Sequence, residues 1–272
     1  MKVLAIETAT SWQSVAITEQ GRTLALIEQD AEGSHTRLLM SAIDRALKQA
    51  GIGLRHLEGL AVSIGPGSFT GLRVGLATVL GFRSVLGIPV ALVPTLEAMA
   101  WRRKDAGGLV VPVLKSRKNE VYWAVYDWLP GGLLKACGTE QVGTPEALAR
   151  SLVESGEAVV YGDGWLAYGA DVRRFMGTKA AYVWEVDLQH PSALAVAEAA
   201  GARFERHEVA GIGITPRYVQ RTEAEVQFER HQDRSSVERR RDRVASKLKR
   251  AGRPKVGRGG PGSASRAQES EQ

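Results

Sequence analysis

Residues 63–82 read SIGPGSFTGLRVGLATVLGF, and this stretch decides how the first half of the chain folds. An apolar run leads into glycines, and apolar residues then recur at helical spacing, which predicts a strand, a tight turn and a helix over 68–86. The glycine spacing matches neither the Walker phosphate loop nor the dinucleotide fingerprint. Because a strand-to-helix turn presents backbone N–H groups, an anion contact at Gly65, Gly67 and Ser68 stays open beside the simpler prediction of a plain turn.

Within the predicted helix, residues with little or no side chain fall on one face. Gly71, Gly75 and Thr78 are spaced at i, i+4 and i+7, while Leu72 and Val79 mark a neighbouring apolar face. A glycine inside a helix costs about 0.5–1 kcal/mol relative to alanine, so two glycines on one face indicate close packing. The sequence leaves open whether this packing is internal or against a partner protein.

Outward from this helix, both halves of the chain show a similar order of elements. The first half predicts β-β-β-α-β-α-β-α, with elements at 2–8, 14–20, 22–29, 34–50, 59–65, 68–86, 88–94 and 95–101. The second half predicts elements at 109–116, 120–127, 132–138, 145–155, 158–164, 165–175, 181–186 and 192–205. Two such units, each a mixed sheet flanked by helices, describe the α/β actin/Hsp70-like (ribonuclease-H-like) fold. We predict an N-terminal lobe at 1–104, a C-terminal lobe at 105–221 and a basic tail at 222–272.

The positive charge of the chain is concentrated at its C-terminal end. Residues 229–272 contain 13 Lys and Arg against 6 Asp and Glu, whereas 1–228 contain 23 basic and 24 acidic residues. Because 229–272 has no aromatic residue and ends in a Gly-, Ser-, Pro- and Arg-rich stretch, we predict a largely disordered tail with a short helix at about 236–250. An RNA-binding arm and a dispensable extension are equal interpretations of this tail.

Several classes of site are disfavoured by composition. The only cysteine, Cys137, allows neither an intramolecular disulfide nor a cysteine-cluster metal site, and its apolar neighbours predict burial. No nucleophile–base set or pair of metal ligands can be assembled, so a metal site and a peptidase are disfavoured. Arg83 ends the apolar run of 74–80 well before the ~20 residues of a membrane span. With no recognisable signal peptide, a soluble cytoplasmic protein is predicted.

In an actin-like fold, a nucleotide lies between the lobes and is held by glycine-containing hairpins and a carboxylate-bound metal ion. The first hairpin here offers the hydroxyls of Thr8 and Thr10 but no glycine, and the second has Lys115 where a metal-binding carboxylate would be needed. Asp163, in the GDGW segment at 162–165, is predicted to lie in a turn. We predict no cofactor, keep Thr8 and Thr10 as candidate nucleotide contacts, and retain a small-molecule kinase or ATPase as the alternative function.

Six segments in one order resemble the TsaB (YeaZ) family, namely IETAT, SHTRLL, SIGPGSFTGLRVGLATVLGF, PVALVPTLEAMA, RKNEVYWAVYD and YGDGW. The resemblance covers about 1–221 and implies the same actin/Hsp70-type fold. It implies a non-catalytic subunit needed for N6-threonylcarbamoylation of adenosine at tRNA position 37. The implied partners are the transferase TsaD, which the subunit binds and activates as a heterodimer, the ATPase TsaE, and tRNA as substrate of the complex. The sequence leaves open whether the chain forms a homodimer in the absence of TsaD.

The resemblance further implies that the helices at 34–50 and 68–86 dock against TsaD. The expected interface residues are His35, Leu38, Leu39, Ala42, Gly71, Leu72, Val74, Gly75, Thr78 and Val79. The chain departs from the family in two places: Lys115-Ser116-Arg117 stands where relatives usually have Asp-Ala-Arg, and the usual family chain lacks the tail. The first departure weakens any prediction of metal–nucleotide binding. A glycoprotease-like peptidase is the least favoured alternative.

Overall fold

The computed structural model describes residues 1–185, 187–211 and 214–215, and its first half forms a five-stranded sheet. The strands are β1 (Lys2–Glu7), β2 (Trp12–Glu19), β3 (Arg22–Asp30), β4 (Gly59–Ser63) and β5 (Val90–Val93), and the helices are α1 (His35–Ala50), α2 (Phe69–Leu86) and α3 (Thr95–Trp101). The order across the sheet is β3-β2-β1-β4-β5. The first three strands are antiparallel to their sequence neighbours, whereas β4 and β5 run parallel to β1.

The second half forms a seven-stranded mixed sheet of similar plan. Its elements are β6 (Gly108–Lys115), β7 (Val121–Trp123), β8 (Tyr126–Leu129), β9 (Leu133–Ala136), β10 (Gln141–Gly143), α4 (Pro145–Ser155), β11 (Ala158–Tyr161), α5 (Asp163–Met176), β12 (Val183–Glu185) and α6 (Ala193–Glu205). The order is β10-β7-β6-β11-β12, with β8 pairing with β6 and β9. Two tandem mixed sheets flanked by helices confirm the predicted actin/Hsp70-like fold. The predicted disordered tail at 222–272 lies outside the described residues.

The strand predicted at 120–127 is divided into two strands that belong to different ladders. Val121–Trp123 pairs with the C-terminal half of β6 and with β10, whereas Tyr126–Leu129 pairs with the N-terminal half of β6 and with β9. Both pieces are apolar, so the sequence gives no sign of the division. Cys137 follows β9, which among the described strands pairs with β8 alone, and the residue is exposed. The prediction that Cys137 is buried is therefore wrong.

The first sheet is buried on both faces. On one face, Leu4 and Ile6 belong to the core that α1 and α2 complete. On the other face, small side chains of the sheet meet α3 and α6; the alanines on this face are Ala5, Ala16, Ala61 and Ala91. The sequence predicted α6 as part of the C-terminal lobe, but α6 packs across β1, β2, β4 and β5. The alanine-rich side of α6 can pack closely on this face because the side chains of the sheet are also small there. The lobe boundaries at 1–104 and 105–221 stay a prediction.

Helix α3 connects the cores of the two sheets. Ala98 packs with the alanine face of the first sheet, whereas Leu96 and Met99 pack with Tyr161 of β11 in the second. The hydroxyl of Tyr161 donates to Met99 O at 3.0 Å, so this buried group has a partner. Thr95 N at the start of α3 also donates to Gly65 O at 2.8 Å, and Gly162 after β11 lies against Val113 O of β6, so the residues that follow β4 and β11 lie close to α3 and β6 respectively.

Candidate functional site

The candidate nucleotide contacts lie where the first hairpin, residues 8–11, meets the turn before α2. Ser68 N donates to Ala9 O at 2.6 Å, and the hydroxyl of Thr8 donates to Gly71 O at 2.8 Å. A Cβ atom at Gly67 would collide with Ala9 O. The hairpin and the turn are thus packed directly on each other, and Gly67 is required for this close approach because its φ is +154° and any side chain would clash.

Three acceptor groups of the predicted anion-contact residues are hydrogen-bonded within the chain. Thr10 Oγ1 accepts from Trp12 N at 3.1 Å, Gly65 O accepts from Thr95 N at 2.8 Å, and Ser68 Oγ caps α2 by accepting from Gly71 N at 3.2 Å. The structure therefore brings these five predicted residues close together, because the first hairpin is hydrogen-bonded to the turn before α2 and to the first turn of that helix. A nucleotide or anion contact at Thr8, Thr10, Gly65, Gly67 and Ser68 stays a prediction.

Glu7 lies beneath this hairpin with its carboxyl fully buried. Burial raises the pKa of Glu7 to about 7, and the hydrogen bond that Ala9 N donates to Glu7 Oε1 opposes that rise. The side chain is therefore partly protonated at neutral pH. Among residues 1–185, 187–211 and 214–215, no group of three His, Cys, Asp or Glu side chains could hold a metal ion. The sequence contained Glu7 but gave no sign of its burial.

The second hairpin carries an ion pair at the corresponding edge of the C-terminal sheet. Lys115 N donates to Asp163 Oδ1 at 2.8 Å, and Lys115 Nζ lies 4.0 Å from Asp163 Oδ2. Asp163 is the first residue of α5, so the prediction that it lies in a turn is wrong. Burial raises its pKa, against the opposing effect of Lys115. This carboxylate connects β6 to α5 and is already engaged by protein donors.

Most of the predicted partner-interface residues belong to the core of the chain. Those buried are His35, Leu39, Ala42, Gly71, Leu72, Gly75 and Val79. Leu38, Val74 and Thr78 are half-buried. The glycine face of α2 packs against β1, because a Cβ atom at Gly71 would collide with Thr8 O and one at Gly75 would lie 2.5 Å from Thr8 Oγ1. The hypothesis that this glycine face is open to a partner is therefore corrected: its close packing is internal.

A different stripe of α2 faces outward. Phe69, Arg73, Ala77, Gly81 and Val85 follow one another at i+4 spacing, and all five are exposed; we call them the outer stripe. Val85 is 75% exposed, and a Cβ atom at Gly81 would have nothing within 4 Å. The Arg73 guanidinium lies 3.6 Å from the centre of the Phe69 ring. The outer stripe is therefore an open surface with one charge and small residues at its centre.

The outer stripe lies beside exposed residues of α1. The two helices pack on the same face of the first sheet, and Met40 of α1 is 53% exposed. Helix α2 is long and apolar enough to cross a membrane by composition, yet only 28% of it is buried here. Its glycine side is nevertheless packed on β1, as in a helix that flanks a sheet, so composition alone is weak support for a membrane span. Together the two helices present a mixed surface, in which Met40, Phe69 and Val85 are exposed apolar residues among charged ones such as Arg37, Asp44 and Arg73.

Comparison with known proteins gives matches over most of the chain. Residues 26–226 match the family model described as TsaD, tRNA N6-adenosine threonylcarbamoyltransferase. The tRNA threonylcarbamoyladenosine biosynthesis protein TsaB of Escherichia coli K12 is 36% identical over 172 residues, covering 62% of this chain and 74% of that protein. TsaB of Haemophilus influenzae is 28% identical over 235 residues, covering 80% and 93%.

Solved structures agree with these relatives. YeaZ from Pseudomonas aeruginosa superposes with a TM-score of 0.69 at 28% identity, covering 80% of this chain and 99% of that chain. A second structure, described as an uncharacterized protein with similarity to peptidase YeaZ from Pseudomonas aeruginosa, gives a TM-score of 0.70 at the same identity and coverage. The fold, the order of elements and the sequence thus match the same group of proteins.

Proposed function

The chain belongs to the TsaB (YeaZ) family of tRNA threonylcarbamoyladenosine biosynthesis proteins, and from this premise we propose that it is the non-catalytic subunit that binds and activates TsaD. The complex would carry out N6-threonylcarbamoylation of adenosine at tRNA position 37 in the cytoplasm, with the ATPase TsaE as a further component. The observation that carries this proposal is the outer stripe of α2 together with the adjoining surface of α1.

The composition of the outer stripe suits a helical partner. From Phe69 to Val85 the stripe spans about 24 Å of helix. Ala77 and Gly81 at its centre leave room for another helix to approach closely, and Phe69 at one end can act as a buried aromatic anchor. Covering the apolar residues of this row, Phe69, Ala77 and Val85, would be favourable because it removes apolar surface from water. A second copy of the chain would be the alternative occupant of this row when TsaD is absent.

The match to the TsaD model supports TsaD as the occupant. A chain that matches this model over 26–226 shares its sequence pattern, and related chains can present corresponding helices to each other. Pairing like helices would produce a four-helix contact from α1 and α2 and their counterparts. The stripe rather than the buried glycine face would then make this contact.

A non-catalytic role is supported by the hydrogen bonds that polar groups of both hairpins make within the chain. Thr8 donates to α2, and Asp163 accepts from the Lys115 backbone, so these polar groups are engaged inside the chain. The same observation disfavours the alternative of a small-molecule kinase or ATPase. A peptidase is mentioned in the description of a solved relative, but among the described residues no metal-binding group of side chains supports one.

A charged side chain in the middle of the outer stripe tests the proposal. Gly81→Arg adds a long cation where the Cβ atom has open space, so the variant should fold normally and lose TsaD binding by about tenfold or more. Leu166→Arg is the matched control, because Leu166 of α5 is 67% exposed and lies on the other lobe. Thermal unfolding, TsaD affinity and formation of the modified nucleoside with TsaD, TsaE and threonylcarbamoyl-adenylate should be measured together.

Two results would contradict the proposal. One is a folded Gly81→Arg variant that binds TsaD as tightly as the Leu166→Arg control. The other is threonylcarbamoyl transfer by the purified chain alone, which would overturn the non-catalytic assignment. Gly75→Arg should behave differently from Gly81→Arg, since a side chain at Gly75 overpacks the contact with Thr8 and destabilises the fold by about 1–3 kcal/mol.

A further inference from the structure

Three polar atoms at one end of the first sheet are buried and have no hydrogen-bond partner among the described residues. They are Glu7 Oε2, Ser63 Oγ and Thr95 Oγ1, and each belongs to a residue with no exposure to solvent. Buried polar groups in folded proteins nearly always bond to the protein or to ordered water, because an unmade bond leaves the cost of removing the group from water uncompensated. These three atoms therefore call for a partner other than the described side chains.

The register of the sheet makes two of these residues neighbours. Ile6 of β1 pairs with Val62 of the parallel strand β4, so Glu7 and Ser63 are the next residues along the two strands. Because side chains alternate along a strand, both lie on the same face as the alanines two positions earlier, which is the face that α3 and α6 cover. The Ser63 hydroxyl is close enough to the Glu7 carboxyl to lower its pKa, although Ser63 Oγ makes no direct hydrogen bond.

Thr95 adds the third atom from the next strand of the sheet. Ser63 pairs with Val93 of β5, and Thr95 follows two residues later as the first residue of α3. Thr95 N donates to Gly65 O at 2.8 Å, and this bond holds the start of α3 beside the residues that follow Ser63. The three atoms thus come from β1, β4 and the start of α3, at the same end of the sheet.

The first hairpin covers this end of the sheet. Ala9 N donates to the other carboxyl oxygen of Glu7, Oε1, at 2.5 Å, and Ala9 O accepts from Ser68 N of the turn before α2 at 2.6 Å. One oxygen of Glu7 is therefore bonded to a hairpin that is itself fixed to α2. The second oxygen, Oε2, is left for a partner that the fold encloses.

We propose that Glu7, Ser63 and Thr95 bind one buried water molecule, which joins β1, β4 and the start of α3. A buried water typically makes about three hydrogen bonds to polar groups that would otherwise have no partner, and three such atoms are present here. Small side chains border the site, since Ala5, Ala61 and other alanines form this face of the sheet.

The chemistry of the three groups suits water better than a metal ion. Water both donates and accepts, so it can bond to the Glu7 carboxyl whether or not that carboxyl carries a proton, and the hydroxyls of Ser63 and Thr95 can turn to match. A hard cation such as Ca²⁺ or Mg²⁺ takes about six or more oxygen ligands, whereas three side chains supply oxygens here.

A high-resolution crystal structure of the full chain tests the site directly. We expect one density peak within hydrogen-bonding distance of Glu7 Oε2, Ser63 Oγ and Thr95 Oγ1. Crystals soaked in rubidium chloride distinguish a monovalent cation, because an anomalous rubidium peak at this place would overturn the assignment to water. A protein side chain in that place, or direct hydrogen bonds among the three residues, would overturn it as well. In solution, the water should give nuclear Overhauser effects to the amide protons of Glu7 and Ser63.

Thr95→Val is the decisive variant, because it keeps the shape of the side chain and removes one hydroxyl. Thr95 is not among the groups that act directly on the pKa of Glu7, so an effect of this variant on Glu7 passes through the water. The affinity of Glu7 for its proton should rise severalfold, since the ionised carboxylate loses a donor, and the Overhauser effects should disappear. Nuclear magnetic resonance of the carbon-13-labelled Glu7 carboxyl measures the titration.

Thr78→Val is the matched control, because the Thr78 hydroxyl bonds to Val74 O within its own helix. This variant should leave the titration of Glu7 and the Overhauser effects unchanged. If Thr95→Val does not fold, Thr95→Ser keeps the hydroxyl and should retain both the water and the native titration, whereas Thr95→Ala should lose both. A Glu7 titration in Thr95→Val or Thr95→Ala that equals that of the Thr78→Val control would overturn the proposal.

Discussion

At the scale of single residues, Glu7 differs most from what its position in the sequence suggests. A glutamate at the end of a strand and next to a hydroxyl-rich hairpin is expected to reach solvent or a ligand. The parallel pairing of β1 with β4 and the packing of 8–11 on the turn before α2 enclose it instead. No local pattern indicates this burial, because it depends on β4 and on the turn before α2, which lie more than fifty positions further along the chain.

The buried carboxyl makes stability depend on pH. The folded pKa of about 7 lies above the ordinary value of 4.5, so the folded chain binds this proton more tightly than the unfolded chain. The free energy of unfolding should therefore fall as pH rises from about 4.5 to 7 and then level off, by roughly 3 kcal/mol at most. Glu7→Gln keeps an acceptor for Ala9 N but removes the proton equilibrium. The variant should gain stability relative to the native chain over this range.

Urea unfolding of both chains between pH 5 and 8 measures that difference. Two histidines contribute in the opposite direction: burial lowers the pKa of His35 and His190, so their share of stability is lost as pH falls below about 6.5. Because these histidines are present in both chains, their effect cancels in the comparison. Parallel stability curves for the native chain and Glu7→Gln would contradict the assigned burial.

At the scale of elements, periodicity predicted where helices begin and end but not which face is inside. The predicted helices at 34–50, 68–86 and 145–155 agree with the structure to within a residue or two. Helix α2, however, has small or apolar residues on both its inner and its outer side. A helix with one polar and one apolar face shows in its sequence which face is buried, but α2 has no such difference between its faces. Its glycine face was therefore ambiguous until the contact of Gly71 with Thr8 was visible.

The docking of α6 on the first sheet depends on a small polar anchor that can be tested. Ser14→Ala removes the hydroxyl that accepts from Ala193 N and donates to Glu28, and leaves a buried N–H group without this partner. We expect a loss of about 1–3 kcal/mol in the free energy of unfolding. Ser84→Ala on α2 is the control, because that exposed hydroxyl bonds only to Leu80 O within its own helix. Equal stabilities for the two variants in urea would rule out this anchor.

At the scale of the whole molecule, the fold class was predictable and the connections between the lobes were not. The order of strands and helices indicates the fold class, and this order can be predicted because each element has its own local hydrophobic periodicity. The packing of α6 on the first sheet, the position of α3 between the two cores and the path of residues 187–192 all depend on contacts between distant segments, such as His190 with Trp12. Composition offers one signal in retrospect: the alanines at 5, 16, 61 and 91 leave a shallow sheet face that only an equally small-sided helix can fill.

Charge distribution at this scale leads to a prediction about the tail. Residues 229–272 contain 13 basic and 6 acidic residues, whereas the rest of the chain has nearly equal numbers, so these residues carry the net positive charge of the chain. Removing 229–272 should weaken tRNA binding and flatten its salt dependence, because each released phosphate counterion steepens the dependence of affinity on salt. TsaD binding should not change, since the outer stripe is retained. The measurement is the affinity for tRNA at two salt concentrations, for the full chain and for the chain without 229–272. The same affinity and the same salt dependence in both would mean that this segment is dispensable for RNA binding.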